Sequence, residues 1–525
     1  MDNTRFFTFT AATLAISYLL FRTLRHTRQT IDEIRGPLSS SWVFGHMREL
    51  FFAPKYGNFE FQWLRKYGAV YQIKGPFGES RLVVADPAAM QYILNTPAHF
   101  RFSPSFDHSV RLLYPEQSVI RAHGEDHQRL RTALNPGFSA AAVRSYLPVF
   151  LRAAQSLTDQ FDSRLGEITN VSPIFGRTTL GTVSEAILGY TVEDLGDEYT
   201  TNNLEILSFA ANQSAVHIVA DVLTGWIPNF LRDAAIKIPA APFTTLNRAQ
   251  CLASNIASRV IEEKVNAASQ GVGGTGGFYG ELVDQQRLGG GKSALTRDEI
   301  IAQTSILLNA GQDTTATTLA LGLTELAQDI EFQEKLRTEV HSSLGGAGGG
   351  GEIAYDRMPL LNAFIKESLR MYPAEPITER MAVRDVVLPL TESITTVDGK
   401  QLSRIPIRKG QIVMLSVASY QRLASRWGED ADSFRPSRWL EREGVPGGEA
   451  MGPYANLLSF FGGPRTCLGW RFALLEMQVF ICELVGKFQF SLPPQGAAGF
   501  RYGGTLLPTL PDGQKGALLE ISRVT

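Results

Sequence analysis

Hydrophobic positions open the chain as one unbroken run: Phe6 to Phe21 reads FFTFTAATLAISYLLF, and Arg22, Arg25 and Arg28 follow it. An apolar run closed by cations predicts a membrane-anchoring helix whose basic flank stays cytosolic. Its 16 residues reach about 24 Å against a hydrocarbon core of roughly 30 Å, so the bilayer must thin or the arginines must snorkel. A cleaved signal peptide is the rival reading, but no small-x-small site follows the run. Gly36-Pro37 and the serines after it read as a stiff hinge to the globular body. Beyond it, Ala69 to Lys74 and Ser80 to Ala85 alternate or run apolar with β-branched residues, which predicts a small early sheet. Helical periodicity then dominates, at residues 141–163, 249–269, 298–328 and 468–487. Thr296-Arg297-Asp298-Glu299 forms a capping box, so a long helix should begin near residue 297. The pattern predicts a mainly α fold with small β-sheets: residues 1–29 as anchor and basic flank, residues 30–525 as one large domain.

Two glycine-rich stretches imitate nucleotide-binding loops. Residues 271–276, GVGGTG, match GxGxxG but follow a helical pattern, where the dinucleotide fold requires a strand. Gly291-Lys292-Ser293 resembles the end of a phosphate loop, yet Gln286 stands where its first glycine must be. Both read as loops. Lys plus Arg is 50 against 52 Asp plus Glu, a net charge of -2, which gives no electrostatic case for nucleic acid as a partner. Three cysteines, Cys251, Cys467 and Cys482, are too few and too scattered for a disulfide framework, which favours a reducing compartment.

Cys467 differs from the other two, which lie on helical apolar faces and read as small buried hydrophobes. It sits in FFGGPRTCLG, a glycine-rich turn just before a helix, where backbone N–H groups and the helix dipole favour a thiolate competent to bind metal. Gly463 and Gly469 would let a flat macrocycle approach the backbone, and Arg465 can reach a carboxylate. Phe460, Gly463, Arg465, Cys467 and Gly469 fill every specified position of FxxGxRxCxG, so the chain here resembles the haem-binding signature of the cytochrome P-450 family. The resemblance implies that Cys467 is the axial ligand of a haem b iron.

Three further segments agree with it. Glu367 and Arg370, three apart in NAFIKESLRMYP, share a helical face. Phe434 to Trp439, FRPSRW, resembles a family element whose arginine, here Arg438, joins that pair in a buried structural network. Ala310 to Thr315, AGQDTT, resembles the oxygen-activation motif, which implies a proton relay through Asp313 and Thr314. Glycine and threonines in mid-helix suggest a distortion that frees a threonine hydroxyl from its own backbone. His127 and Arg131, four apart, together with Arg380 and Arg465, correspond to haem propionate ligands, although much of the family has tryptophan where His127 stands.

The whole looks most like the eukaryotic, fungal-type microsomal branch. That resemblance implies a monooxygenase of the endoplasmic reticulum membrane with its catalytic domain in the cytosol. Its partners would be O2, a lipophilic substrate and a cytochrome P-450 reductase that draws on NADPH and docks near Arg465 and Arg471. Phe102, Phe106, Leu112, Leu113, Ile306, Leu307 and Ile377 suggest an apolar cavity with Asn309 and Glu375 as polar anchors, suited to a secondary metabolite such as a terpenoid. A haem-thiolate isomerase or dehydratase, or a non-catalytic haem-binding protein, would also use Cys467; the first would have no need of Asp313-Thr314, the second none of an apolar cavity.

Overall fold

A computed structural model describes residues 30–211, 214–225, 241–270, 277–287, 294–346, 353–441 and 450–524. The predicted anchor and both glycine-rich segments, 271–276 and 291–293, fall outside the described residues. Among those described, no helix is long and apolar enough to cross a membrane.

Helices of eight or more residues, in chain order, are α1 (Glu60–Tyr67), α2 (Pro87–Asn95), α3 (Pro104–Leu113), α4 (Gly124–Leu134), α5 (Leu147–Asp162), α6 (Val171–Leu188) and α7 (Asp197–Ala211). They continue with α8 (Ala215–Gly225), α9 (Ala241–Ser269), α10 (Phe278–Arg287), α11 (Arg297–Leu326), α12 (Ile330–Gly346), α13 (Pro359–Met371) and α14 (Trp470–Lys487). The sheets are small, as the alternating pattern requires. β1 (Val70–Lys74), β2 (Ser80–Val84), β5 (Ile412–Ser416), β4 (Ile377–Ala382) and β3 (Phe100–Phe102) form a five-stranded sheet in that order.

Local chemistry explains the boundaries. The Thr296 side chain accepts from the Glu299 N–H at 3.2 Å while the Glu299 carboxylate accepts from the Thr296 N–H at 2.9 Å, so α11 starts where the capping box places it. The helix expected over 141–163 is two, Ala140–Ser145 and α5, because Pro148 can stand in the first turn of a helix but not inside one. Gly36 is not at a free hinge: Ile31 and Ile34 are already buried, and the Arg35 carbonyl accepts from the Gln72 N–H at 3.0 Å. The folded body therefore begins before Gly36-Pro37. Cys482 is buried, but Cys251 is exposed, which corrects its reading as a buried hydrophobe. It lies about 200° around α9 from Ala253, on the face opposite the buried Ala253, Ala257 and Val260.

α11 runs unbroken through the bundle against α6 and α14, with Leu308, Leu319, Ala320 and Leu323 buried. The distortion expected at Gly311 is absent. A Cβ at Gly311 would lie 2.7 Å from a Val183 methyl, so glycine here allows close packing against α6.

Behind the cysteine loop, α13 buries Glu367 and Arg370 completely. Both oxygens of Glu367 are saturated: by Arg370 Nε and Nη2 at 2.8 Å each, Arg438 Nε at 3.0 Å, Trp439 Nε1 at 2.9 Å and the Arg435 N–H at 2.7 Å. Burial pushes this carboxyl up, but Arg370, Arg435 and Arg438 together hold it below the ordinary carboxylate range. Glu367→Gln would leave two buried guanidinium groups without their anion. It should lower the unfolding free energy in urea by about 3–5 kcal/mol; a loss under about 1 kcal/mol would show that the network tolerates a neutral centre.

Candidate active site

The cysteine loop is held by its own backbone. The Cys467 N–H donates to the Phe460 carbonyl at 2.8 Å, and the Thr466 hydroxyl donates to the Gly463 carbonyl at 2.7 Å. Phe460 itself is buried. Gly463 adopts φ +66°, where a Cβ would sit 2.4 Å from the Leu94 carbonyl oxygen. Its glycine therefore answers to a left-handed backbone turn and to the close approach of α2, not to a flat ligand, which corrects the expectation. Gly469 has open space before it, with Phe138 as nearest neighbour at 3.8 Å. The Cys467 thiol also departs from expectation. Burial pushes it up, and the Gly469 N–H and the Arg131 charge oppose this only in part. The protein alone does not keep the sulfur ionised; a coordinated cation, which deprotonates a thiol outright, fits that deficit.

A cluster of cations gathers beside this loop. His127 and Arg131 stand on α4, Arg380 on β4 and Arg465 in the loop itself. The Arg380 and Arg465 guanidinium groups lie over the same Phe102 ring, at 4.8 and 5.5 Å from its centroid. Arg380 also donates to the Thr378 hydroxyl and the Glu379 carbonyl, and Arg465 donates to the carbonyls of Val119, Ile120 and Ala122. Burial first, then repulsion from Arg380 and Arg131, lowers Arg465 to about 10. Burial likewise lowers Arg380 to about 10, with Glu375 opposing. His127 falls to about 4 through burial and the charges of Arg465 and Arg131, so it is neutral near pH 7. Among the described residues, none of Arg131, Arg380 and Arg465 forms an ion pair. Such crowding of cations is relieved by an anion with two carboxylates, and haem b carries two propionates.

A cavity of about 470 Å³ adjoins the midpoint of α11. Phe106, Leu113, Ile306, Ile377, Asn309 and Glu375 line it as the sequence suggested, whereas Phe102 lies between the two arginines and Leu307 packs into the core. Phe51, Phe52 and Leu507 also line it, brought in by the distant ends of the chain. Asp313 and Thr314 both reach the cavity. The Thr314 hydroxyl, expected to be free, donates to the Ala310 carbonyl at 2.8 Å, because the undistorted helix keeps that acceptor in reach. Asp313 forms an ion pair with Lys515, whose side chain is 23 % exposed and so links the carboxylate to solvent.

Sequence reasoning missed two residues here. Lys515 carries no signal, because it lies 202 positions from Asp313. Glu476 does: it is one carboxylate amid the apolar run of α14. It is fully buried, accepts from Thr182 of α6 and bonds Thr315 of α11, and its Oε2 has no partner among the described residues. Burial, against those two threonines, raises it to about 8.

Residues 35–513 match the family model for cytochrome P-450. The chain is similar to cytochrome P-450 monooxygenase 91 of Postia placenta, with 30 % identity over 97 % of this chain and 98 % of the relative. Cytochrome P-450 monooxygenase claU of Ampulloclitocybe clavipes is 28 % identical over 90 % of this chain and 88 % of its own length. A ganoderic acid synthetase of Ganoderma lucidum is 29 % identical, covering 89 % of each chain.

Glu476 gives a stability test. Its folded value lies above its ordinary 4.5, so between about pH 4.5 and about pH 8 the folded state holds a proton that the unfolded chain releases, and stability falls as pH rises through this window. Glu476→Gln should remove that slope. Urea unfolding at several pH values should show the variant gaining on the parent by about 2–4 kcal/mol across the window; parallel curves would mean that the carboxyl ionises without penalty.

Proposed function

The chain belongs to the cytochrome P-450 family and is a haem-dependent monooxygenase, and from that premise we propose that it oxidises a lipophilic secondary metabolite with electrons drawn from NADPH through a cytochrome P-450 reductase. The observation that carries the reading is one arrangement: a cysteine loop, a cluster of arginines that form no ion pair among the described residues and a mainly apolar cavity beside α11. The ganoderic acid synthetase among the relatives supports a terpenoid-like substrate. The apolar run at Phe6 to Phe21 supports attachment to the endoplasmic reticulum membrane, with residues 30–525 as one cytosolic catalytic domain.

Cys467 would hold haem b through its sulfur, and the group would supply the centre for oxygen activation. Arg131, Arg380, Arg465 and His127 are assigned to its propionates, the arginines as charged forks and His127 as a neutral donor. Glu367, Arg370 and Arg438 fix the wall behind Cys467 and touch no substrate. Arg471, exposed and stacked over Trp470 at 4.1 Å, offers the reductase a cation, whereas Arg465 is half-buried beside Phe102 and is assigned to the cofactor side. Protons enter from solvent at the Lys515–Asp313 pair. The Thr314 hydroxyl passes them on after turning from the Ala310 carbonyl toward the cavity.

The reduced protein with carbon monoxide should give the red-shifted Soret band of a thiolate-ligated haem, and Cys467→Ser should abolish it; a band at the same place in the variant would remove Cys467 from the iron. Thr314→Ala should leave that spectrum intact. With reductase and NADPH, the variant should lose product formation by about 100-fold, with peroxide released instead. Lys515→Met should shift the balance the same way and Lys515→Arg should restore it; full product yield from Thr314→Ala would exclude the relay.

A further inference from the structure

A recess of about 10 Å³ opens beside the main cavity, between α3, α7, α9 and α11. Leu113, Asn203, Ile206 and Asn309 line both spaces, so only these side chains stand between the recess and the main cavity. Its volume admits one water-sized group. Two polar side chains in its wall are almost wholly buried, Asn202 at 2 % and Ser305 at 6 % exposure. Asn202 Oδ1 and Ser305 Oγ have no hydrogen-bond partner among the described residues. The neighbouring amides are engaged, for Asn203 donates to Gln312 and Asn309 bonds the Tyr114 hydroxyl. Leaving a buried oxygen unpaired is costly, so two in the wall of one small space call for an occupant.

The pair is chemically selective. Asn202 Oδ1 can only accept, while the Ser305 hydroxyl can donate. A group that both donates and accepts satisfies the two together, a carbonyl or ether serves Ser305 alone, and a methyl group serves neither. The recess lies far from the oxidising end: Ser305 precedes Thr314 by nine residues of unbroken helix, a rise of about 13 Å, the length of an extended chain of about ten carbons.

We propose that this recess is a binding site for one hydroxyl group of the substrate, so that the enzyme selects an elongated, otherwise lipophilic alcohol, such as a polycyclic terpenoid alcohol, and oxidises it at the end remote from that hydroxyl. The proposal rests on the haem monooxygenase reading above. When no substrate is bound, the same two atoms hold a single water.

Haem-coordinating probes test this without knowledge of the natural substrate. 1-Alkylimidazoles bind iron through nitrogen and extend their chains up the cavity, and the terminus can be methyl, hydroxyl or methoxy. Affinities come from the shift of the Soret band of the whole protein, over chains shorter and longer than the Ser305–Thr314 span. On short chains the hydroxyl should weaken binding, because an apolar wall cannot replace its hydration. At the length that reaches the recess, the alcohol should overtake the methyl probe, its relative affinity rising about tenfold, while the methoxy probe shows no such rise.

Ser305→Ala should reduce the rise and Ser305→Ala with Asn202→Leu should erase it, with the affinity of methyl probes and the carbon monoxide spectrum unchanged. Should the double variant not fold, Ser305→Ala alone decides. A relative affinity that stays flat with chain length would leave the recess to a lone water and overturn the proposal, as would a rise that survives in both variants or is shared by the methoxy probe. Failure of every imidazole to shift the Soret band would strike down the haem reading, and the recess with it; a flat series with full shifts strikes the recess alone.

Discussion

The carboxylate of Glu367 is the constraint on which the site depends, because the bonds that saturate it continue outward to the cysteine. Arg370 uses its remaining donors on the carbonyls of Gln421, Ala431 and Ser433, at 2.9, 2.6 and 2.9 Å. Gln421 donates to the carbonyls of Leu369 and Arg370, and its own oxygen accepts from the Leu458 N–H at 2.8 Å and the Ser459 hydroxyl at 3.0 Å. The next residue, Phe460, supplies the carbonyl that holds the Cys467 N–H. A buried ion pair of this kind adds little net stability over apolar packing. Its value is geometric: every donor and acceptor has one place to go, so the segment carrying Cys467 cannot slide along α13.

The other side of the site is charged in the opposite sense and left unbalanced. Arg131, Arg380 and Arg465 are each lowered by burial, and no carboxylate meets them in an ion pair among the described residues. Together with the Cys467 thiol, which burial holds protonated, these groups are poorly solvated as they stand. Both strains are relieved by one ligand with a cationic metal at its centre and two anionic arms at its edge. On the proposed reading these charges favour haem, and cofactor binding would then be linked to fold stability.

How much of this the sequence disclosed depends on the range of each interaction. Contacts within one element or one loop were legible. The capping box at Thr296, the Glu367–Arg370 pair and the Cys467 turn are local patterns with local causes. Arg438 came only by family resemblance, since it sits 71 residues from Glu367. Lys515 gave no signal, because a lysine in a polar C-terminal loop is commonplace until folding sets it beside Asp313. Gly311 and Gly463 were recognised as special, but for the wrong reasons. Each is fixed by a neighbour unreadable from the chain, a Val183 methyl and the Leu94 carbonyl. The same holds for Thr314, whose freedom depended on a distortion that close packing at Gly311 makes unnecessary.

α11 shows how one helix can serve several environments without an amphipathic pattern. It is buried nearly all round, so its polar residues cannot be a solvent face and each must answer to something inside the protein. Read from its start, Gln303 donates to the Gln117 carbonyl and ties down the segment ahead of α4. Asn309 and Gln312 pair with Tyr114 and Asn203 on the cavity wall. Asp313 and Thr314 face the cavity at the reacting end, and Thr315, one step around the helix, turns away from it to Glu476 on α14. α14 begins three residues after Cys467, so the Thr315–Glu476 contact links the wall of the cavity to the helix that follows the cysteine loop. Ser305 and Thr317 are the buried hydroxyls of this helix with no partner among the described residues, and of the two Ser305 lines the recess. An idle polar group in the wall of a recess beside the cavity is explained most simply by a ligand that arrives from outside.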